Sequence, residues 1–419
     1  MPTDSKPRVI VIGTGWAGYH LALELDLVKW HVTVISPEVT STITPLLASA
    51  ACGVFDFRLA QEPIRRQHRS DLQYLMARVR NINFDEQKVL CVPAFDGMED
   101  QRFEVGYDKI IIAPGCKTST FGIPGVAEHA IFMKTVQDAT ALRNRIRDNL
   151  EKASLPNTSE DERRKLLHVA IVGGGPTGIE IAAELSDLFQ DDLGRVYKHL
   201  RDKMSVTVHD VSDQILSPFD AKLSEYATKS LKAHRVTIKT KSRITKVTAD
   251  DLETKEGIIS YGMLIWTAGN KHVPLTETLQ VRKSTHGFQR ILTDDRLHVL
   301  KEDGTVYQNA FALGDAADIE GGELPTTAQV ALQKARYLVG QFNGLFKNQH
   351  PFDYEQKSLI TYTGGKDGVI AGKKDYSGYA AWLGWRSGNL MWTRSWRRKC
   401  MITLAYILNW FDGRDIARK

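Results

Sequence analysis

The residue patterns best suited to chemistry are two glycine turns. Gly13-Thr-Gly15-Trp-Ala-Gly18 follows the apolar run Arg8-Val-Ile-Val-Ile12, and Gly173-Gly-Gly175-Pro-Thr-Gly178 follows His168-Val-Ala-Ile-Val172. G-x-G-x-x-G between a strand and a helix lets backbone N–H groups approach a pyrophosphate at the positive end of the helix dipole. One such turn is a weak signal, because glycine turns also serve structure alone. Two of them at domain spacing, each opening a helix, predict two bound dinucleotides. The residue ending the second strand of each unit separates the sites. Ser205-Val-Thr-Val-His-Asp210 ends in a carboxylate that suits ribose hydroxyls and repels a 2′-phosphate, favouring NADH over NADPH. Read as structure alone, Asp210 is an ordinary strand-end aspartate. His31-Val-Thr-Val-Ile35 ends instead in Ser36-Pro37, with Glu38 the nearest carboxylate.

Each turn needs a parallel sheet behind it and a helix in front. Asp108-Lys-Ile-Ile-Ile-Ala-Pro-Gly115 and Tyr261-Gly-Met-Leu-Ile-Trp-Thr-Ala-Gly269 read as closing strands with small-residue turns, one for each unit. The fold class is therefore α/β, with two Rossmann-like doubly wound domains. Asn309-Ala-Phe-Ala-Leu-Gly314-Asp315 reads as a short buried strand, and Pro325 with Thr326 or Thr327 opens a long helix reaching Leu338. An aspartate beside a helix N-terminus suits a flavin, which requires residues 309–343 to fold back onto the first unit. Arg143 to Leu167 is strongly charged and reads as a helix end, an exposed loop and a solvated linker.

Composition narrows the class. With 419 residues, 42% hydrophobic and 25% charged, the chain is globular and long enough for two or three domains. Cys52, Cys91, Cys116 and Cys400 form no C-x-x-C pair, which argues against a disulfide framework, a zinc ribbon and a dithiol relay; no metal is expected. From Arg386 to Lys419 there are eight Lys or Arg against two Asp, so the net +5 belongs to the tail and nucleic acid is not an expected partner.

Taken in order, several motifs resemble the type II, or alternative, NADH dehydrogenases, in the fungal and plant branch. These are Gly173 through Leu185, Thr44-Pro45-Leu46 through Gly53, Asp56 through Arg65, Leu264 through Asn270, Gly314-Asp315, Ala328 through Gln333, and Ser395 through Arg418. The resemblance implies FAD and NADH as cofactors and electron transfer from NADH to a membrane quinone without proton pumping. It places Pro45 and Leu46 beneath the isoalloxazine, Glu180 near the nicotinamide, and Gln329 and Gln333 near the quinone and flavin edge. Gln329 and Gln333 lie four apart, hence on one helix face, with Lys334 and Arg336 off that face and solvated. Glu180 read alone is a first-turn carboxylate complementing the helix dipole.

Trp382, Trp385, Trp392, Trp396 and Trp410 interleave with Arg386, Arg394, Arg397, Arg398 and Lys399 before the apolar run Met401 to Leu408. Tryptophan and basic residues suit a lipid interface, and the run is too short to span, so the tail is expected to bind a membrane surface peripherally. An aromatic homodimer interface is the competing and compatible reading. The expected division is 1–125 with 293–352 for FAD, 126–292 for NADH, and 353–419 for membrane association. The expected place is the mitochondrial inner membrane, although Met1 to Pro7 shows no presequence and leaves a cytoplasmic location open. Two other readings remain: an oxidoreductase of a specialised biosynthetic pathway on the same scaffold, and a flavoprotein sensor of the apoptosis-inducing-factor type.

Overall fold

The computed structural model describes residues 6–65, 69, 72–346 and 350–416; Met1 to Ser5 and the end of the tail motif, including Arg418, lie outside them. The chain forms two compact units, one of Met1–Ser41, Pro63–Lys117 and Asn270–Gln356, the other of Thr42–Glu62, Thr118–Gly269 and Lys357–Lys419. Residues 42–62 and 357–419 thus cluster with the second glycine turn, where the expected division put the former with the first turn and set the latter apart.

The first unit is built on a ten-stranded sheet. At its centre Arg8–Ile12 lies between His31–Ser36 and Lys109–Ile112, all parallel, with Ile12 opposite Ile35 and Ile112. Val9, Ile10 and Val11 are fully buried, as a parallel strand covered on both faces requires. Each such side chain contributes about 1.5–3 kcal/mol by leaving water. The strand Val306–Ala312 pairs parallel with Lys109–Ile112, so the chain after residue 306 does fold back onto the first repeat. The following helix is Ala328–Phe342; Thr327 is its cap, accepting the Val330 N–H at 3.3 Å, and Pro325 stands before it. Its Ala331, Ala335 and Leu338 share a core with Ala17 and Leu21 of the first glycine-turn helix Trp16–Glu24.

The second unit repeats the design with five strands. His168–Val172 lies between Ser205–His209 and Met263–Trp266. Pro176 begins the helix Pro176–Asp187, which continues as a π-helical turn Leu188–Leu193. These added turns account for the long separation between Gly178 and Asp210. The stretch expected as solvated linker is largely ordered: Val136–Ser154 and Glu160–Leu166 are helices. Arg143 is buried, donating to the carbonyls of Ala50, Ala51 and Phe55 with its guanidinium 4.0 Å over the Phe57 ring. The unit ends in a hairpin, Leu359–Gly364 with Asp367–Ala371, and the helices Tyr379–Trp392 and Trp396–Asp412.

Candidate functional site

In the first unit a Cβ on Gly13 would lie 2.3 Å from the Ala113 carbonyl oxygen, and one on Gly18 2.0 Å from that of Gly13. These two glycines exist so that backbone can pack on backbone. A Cβ on Gly15 would meet nothing within 4 Å, so open space lies over the helix N-terminus where a pyrophosphate would pass. Gly115 is open in the same way. Ser36 is buried at the strand end, its hydroxyl 2.8 Å from that of Thr14 in the glycine turn and 3.2 Å from the Glu38 N–H that donates to it. Asp315 sits in the single turn Gly314–Ala316, and the Cys116 thiol donates to its carboxylate at 3.2 Å.

On the helix Ala328–Phe342, Gln329 is half-buried in the first turn. The Gln333 amide is engaged with backbone, donating to the Glu355 carbonyl at 2.9 Å and accepting the Glu355 N–H at 3.1 Å. Its first task is to hold the segment around residue 355. Arg336 is exposed as expected, but Lys334 is fully buried, and its Nζ has no hydrogen-bond partner among the described residues. Its position, 100° round the helix from Gln333, faces the core and not water. Burial pushes its ammonium down to about 8.

The second glycine turn has the same construction. A Cβ on Gly178 would lie 1.9 Å from the Gly173 carbonyl oxygen, while Gly175 is open. Asp210 accepts the Gly174 N–H at 2.5 Å and the Ser212 N–H at 2.7 Å. Those bonds fix the carboxylate over the turn and leave it further lone pairs for ribose hydroxyls. Sequence reading missed Thr267, whose hydroxyl donates to the carbonyls of Val172 and Gly173 at 3.1 Å and braces the turn from behind. Gly269 is needed sterically, because a Cβ there would lie 2.2 Å from the Phe121 ring. Leu46, expected as a flavin contact, is fully buried and offers no surface to a ligand; its neighbour Pro45 is half-buried in the same short turn.

Glu180 lies on the first turns of the second nucleotide helix and is 9% exposed. Its carboxyl accepts the Trp385 indole N–H at 2.7 Å. Burial pushes it up to about 8, with the nearby Glu184 adding to the rise and the Trp385 hydrogen bond opposing it. Trp385 is itself 3% exposed, which corrects its assignment to a lipid-facing cluster. Only Trp396 and Trp410 of the five tail tryptophans are exposed. The basic residues divide likewise: Arg398 pairs with the buried Glu62 at 3.1 Å and Arg386 lies 3.8 Å from Glu184, while Arg397 is exposed. The signal for this was present: Ala381, Trp385 and Asn389, four apart, are the buried stripe of their helix.

A sequence profile of pyridine nucleotide-disulphide oxidoreductases matches residues 7–335. The chain is 36% identical over 418 residues to the "Probable NADH dehydrogenase" of Dictyostelium discoideum, covering 98% of this chain and 91% of that protein. It is 32% identical over 449 residues to the internal alternative NAD(P)H-ubiquinone oxidoreductase A1, mitochondrial, of Solanum tuberosum, covering 99% and 89% respectively. The structure superposes on Plasmodium falciparum NDH2, solved in complex with NADH, with a TM-score of 0.90 at 25% identity, covering 99% of this chain and all of that one.

Proposed function

Because the chain belongs to the pyridine nucleotide-disulphide oxidoreductase family, and within it to the type II NADH dehydrogenases, we propose that it oxidises NADH through FAD and passes the electrons to a quinone without pumping protons. The observation that carries the reading is the pair of glycine turns, each with its middle glycine facing open space at a helix N-terminus. When bound, FAD would supply the redox chemistry that links NADH oxidation to quinone reduction.

The protein's part is to bind and orient. Gly13, Gly15, Gly18, Ser36, Gly115, Gly314 and Asp315 would hold the flavin dinucleotide. Gly173, Gly175, Gly178 and Asp210 hold NADH, and Glu180 borders its nicotinamide. Gln329 presents a neutral amide to the quinone carbonyl, and Gln333 orients the adjoining segment. A neutral donor suits an acceptor that must bind and leave again.

The test is anaerobic. The protein is reduced with one equivalent of NADH, a short-chain quinone is added, and flavin absorbance is followed near about 450 nm. Prompt reoxidation is expected, slowed about tenfold or more in Gln329→Ala, the loss of a hydrogen bond or two. A flavin that stays reduced for minutes would favour the biosynthetic or sensor readings instead.

We further place the protein at a mitochondrial membrane, bound to its inner-membrane surface through the last helix. No helix of the described residues is long and apolar enough to cross a membrane. The outer side of Trp396–Asp412 exposes Trp396, Leu404, Ile407, Leu408, Trp410 and Phe411, an apolar strip with Arg397 beside it. That arrangement supports a helix lying in the interface. Replacing both Trp410 and Phe411 by serine is expected to weaken partition onto anionic vesicles at least about tenfold, given the apolar area removed. Unchanged partition with a change in sedimentation would assign the strip to a homodimer contact.

A further inference from the structure

The Trp385 indole and the Glu180 carboxyl are joined at 2.7 Å although 205 residues separate them in sequence. Trp385 is held flat on the Tyr362 ring, centroids 4.8 Å apart and planes 18° from parallel, so its N–H has a fixed direction. Tyr362 is fixed in turn by its hydroxyl, which donates to Asp187. One turn beyond Glu180, Glu184 is 1% exposed and held by the Ser49 hydroxyl at 2.7 Å and Arg414 at 2.9 Å.

We propose that Trp385 is a positioning residue for the NADH site: its indole holds the Glu180 carboxyl beside the second glycine turn, so that the C-terminal segment tunes the proton on a side chain of the nucleotide helix. This rests on Glu180 bordering the nicotinamide. Acting on Glu180 are Glu184 from its own helix, the Trp385 indole, and the backbone N–H of Tyr362 in the hairpin, which also donates to the carboxyl; Arg386 and Arg414 face Glu184, and Arg414 also faces Asp187. A donor to a carboxylate favours the ionised form, and a neighbouring carboxylate disfavours it. Trp385 and Glu184 therefore act on Glu180 in opposite senses, and neither effect follows from packing alone.

The experiment measures the rate of flavin reduction by NADH in the FAD-loaded protein from about pH 6 to about pH 10. The wild type should show an inflection near 8. Glu180→Gln should abolish it, Trp385→Phe should move it up, and Glu184→Gln should move it down, by roughly half a unit or more each. A Glu180→Gln profile that keeps the inflection overturns the placement of Glu180 at the nicotinamide. Loss of the inflection in Glu180→Gln, with Trp385→Phe leaving it in place or moving it down, overturns the present inference alone. Should either of the other variants not fold, the unmutated protein decides: the Trp385 indole N–H resonance must titrate at the pH of the kinetic inflection. A resonance that does not move there overturns the proposal.

Discussion

Arg414→Met is expected to destabilise the second unit by about 3–5 kcal/mol, the loss seen when one partner of a buried ion pair is removed. Arg414 reaches Glu184 at 2.9 Å, Asp192 at 3.3 Å and Asp187 at 3.7 Å, and the Glu184 side chain is 1% exposed. Its guanidinium donates as well to the Glu184 carbonyl at 3.2 Å, and its own N–H donates to Asp192 at 3.1 Å. The desolvated carboxylates raise its basicity further above the ordinary range, against the burial that opposes it. Methionine would fill much of the volume and leave acidic groups buried without their cation. Adding Glu184→Gln should return part of the loss, because the orphaned charge nearest the guanidinium is then gone. Urea denaturation followed by tryptophan fluorescence measures both variants. A loss below about 1 kcal/mol would mean that water, not Arg414, compensates these acids.

The same replacement at a second buried cation should have the opposite sign. Lys334 is fully buried with its Nζ unpartnered among the described residues, near an Asp318 that is already paired with Arg290. Lys334→Met is expected to stabilise the first unit by about 3 kcal/mol at neutral pH, since a buried ammonium without hydrogen bonds is a liability that an apolar isostere removes. The sign with pH follows from the direction of the shift. Burial lowers the folded-state value to about 8, so the unfolded chain holds the proton more tightly. Wild-type stability therefore rises with pH between about 8 and about 10.4, by up to about 1.4 kcal/mol per unit, and the advantage of methionine fades over that window. Denaturation of both proteins at pH 7 and at a pH above the window checks this. A variant less stable than wild type at pH 7 would show that Lys334 has a partner whose loss outweighs its desolvation.

Both predictions concern cations whose burial the sequence does not reveal: Lys334 reads as solvated and Arg414 as one more basic residue of the tail, yet both lie in the interior. The glycine turns, their flanking strands and Asp210 were legible because a strand, its turn and the next helix form one local unit. There, residue type and short spacing settle the backbone and the open space over the helix. The return of residues 309–343 to the first repeat was legible as well, since a buried strand ending in Gly314-Asp315 needs a sheet to join. The tail was only half legible. Tryptophan and arginine report an affinity for interfaces, yet the same side chains serve equally as buried anchors. Only the packing of Tyr379–Trp392 turned Trp385 inward, while the next helix, Trp396–Asp412, buries Ile402 and leaves Trp396 and Trp410 outside.

What the chain's own order determined, then, was the chemistry it supports: two glycine turns for two dinucleotides, each between a strand and a helix. The tertiary structure alone decided which groups share a proton or a charge. Glu180 meets Trp385 across 205 residues and Glu184 meets Arg414 across 230, while Lys334, one residue from Gln333, meets no such partner among the described residues. Contacts at that separation depend on which faces exclude water together. That is a property of the folded surfaces and is written in no short stretch of sequence.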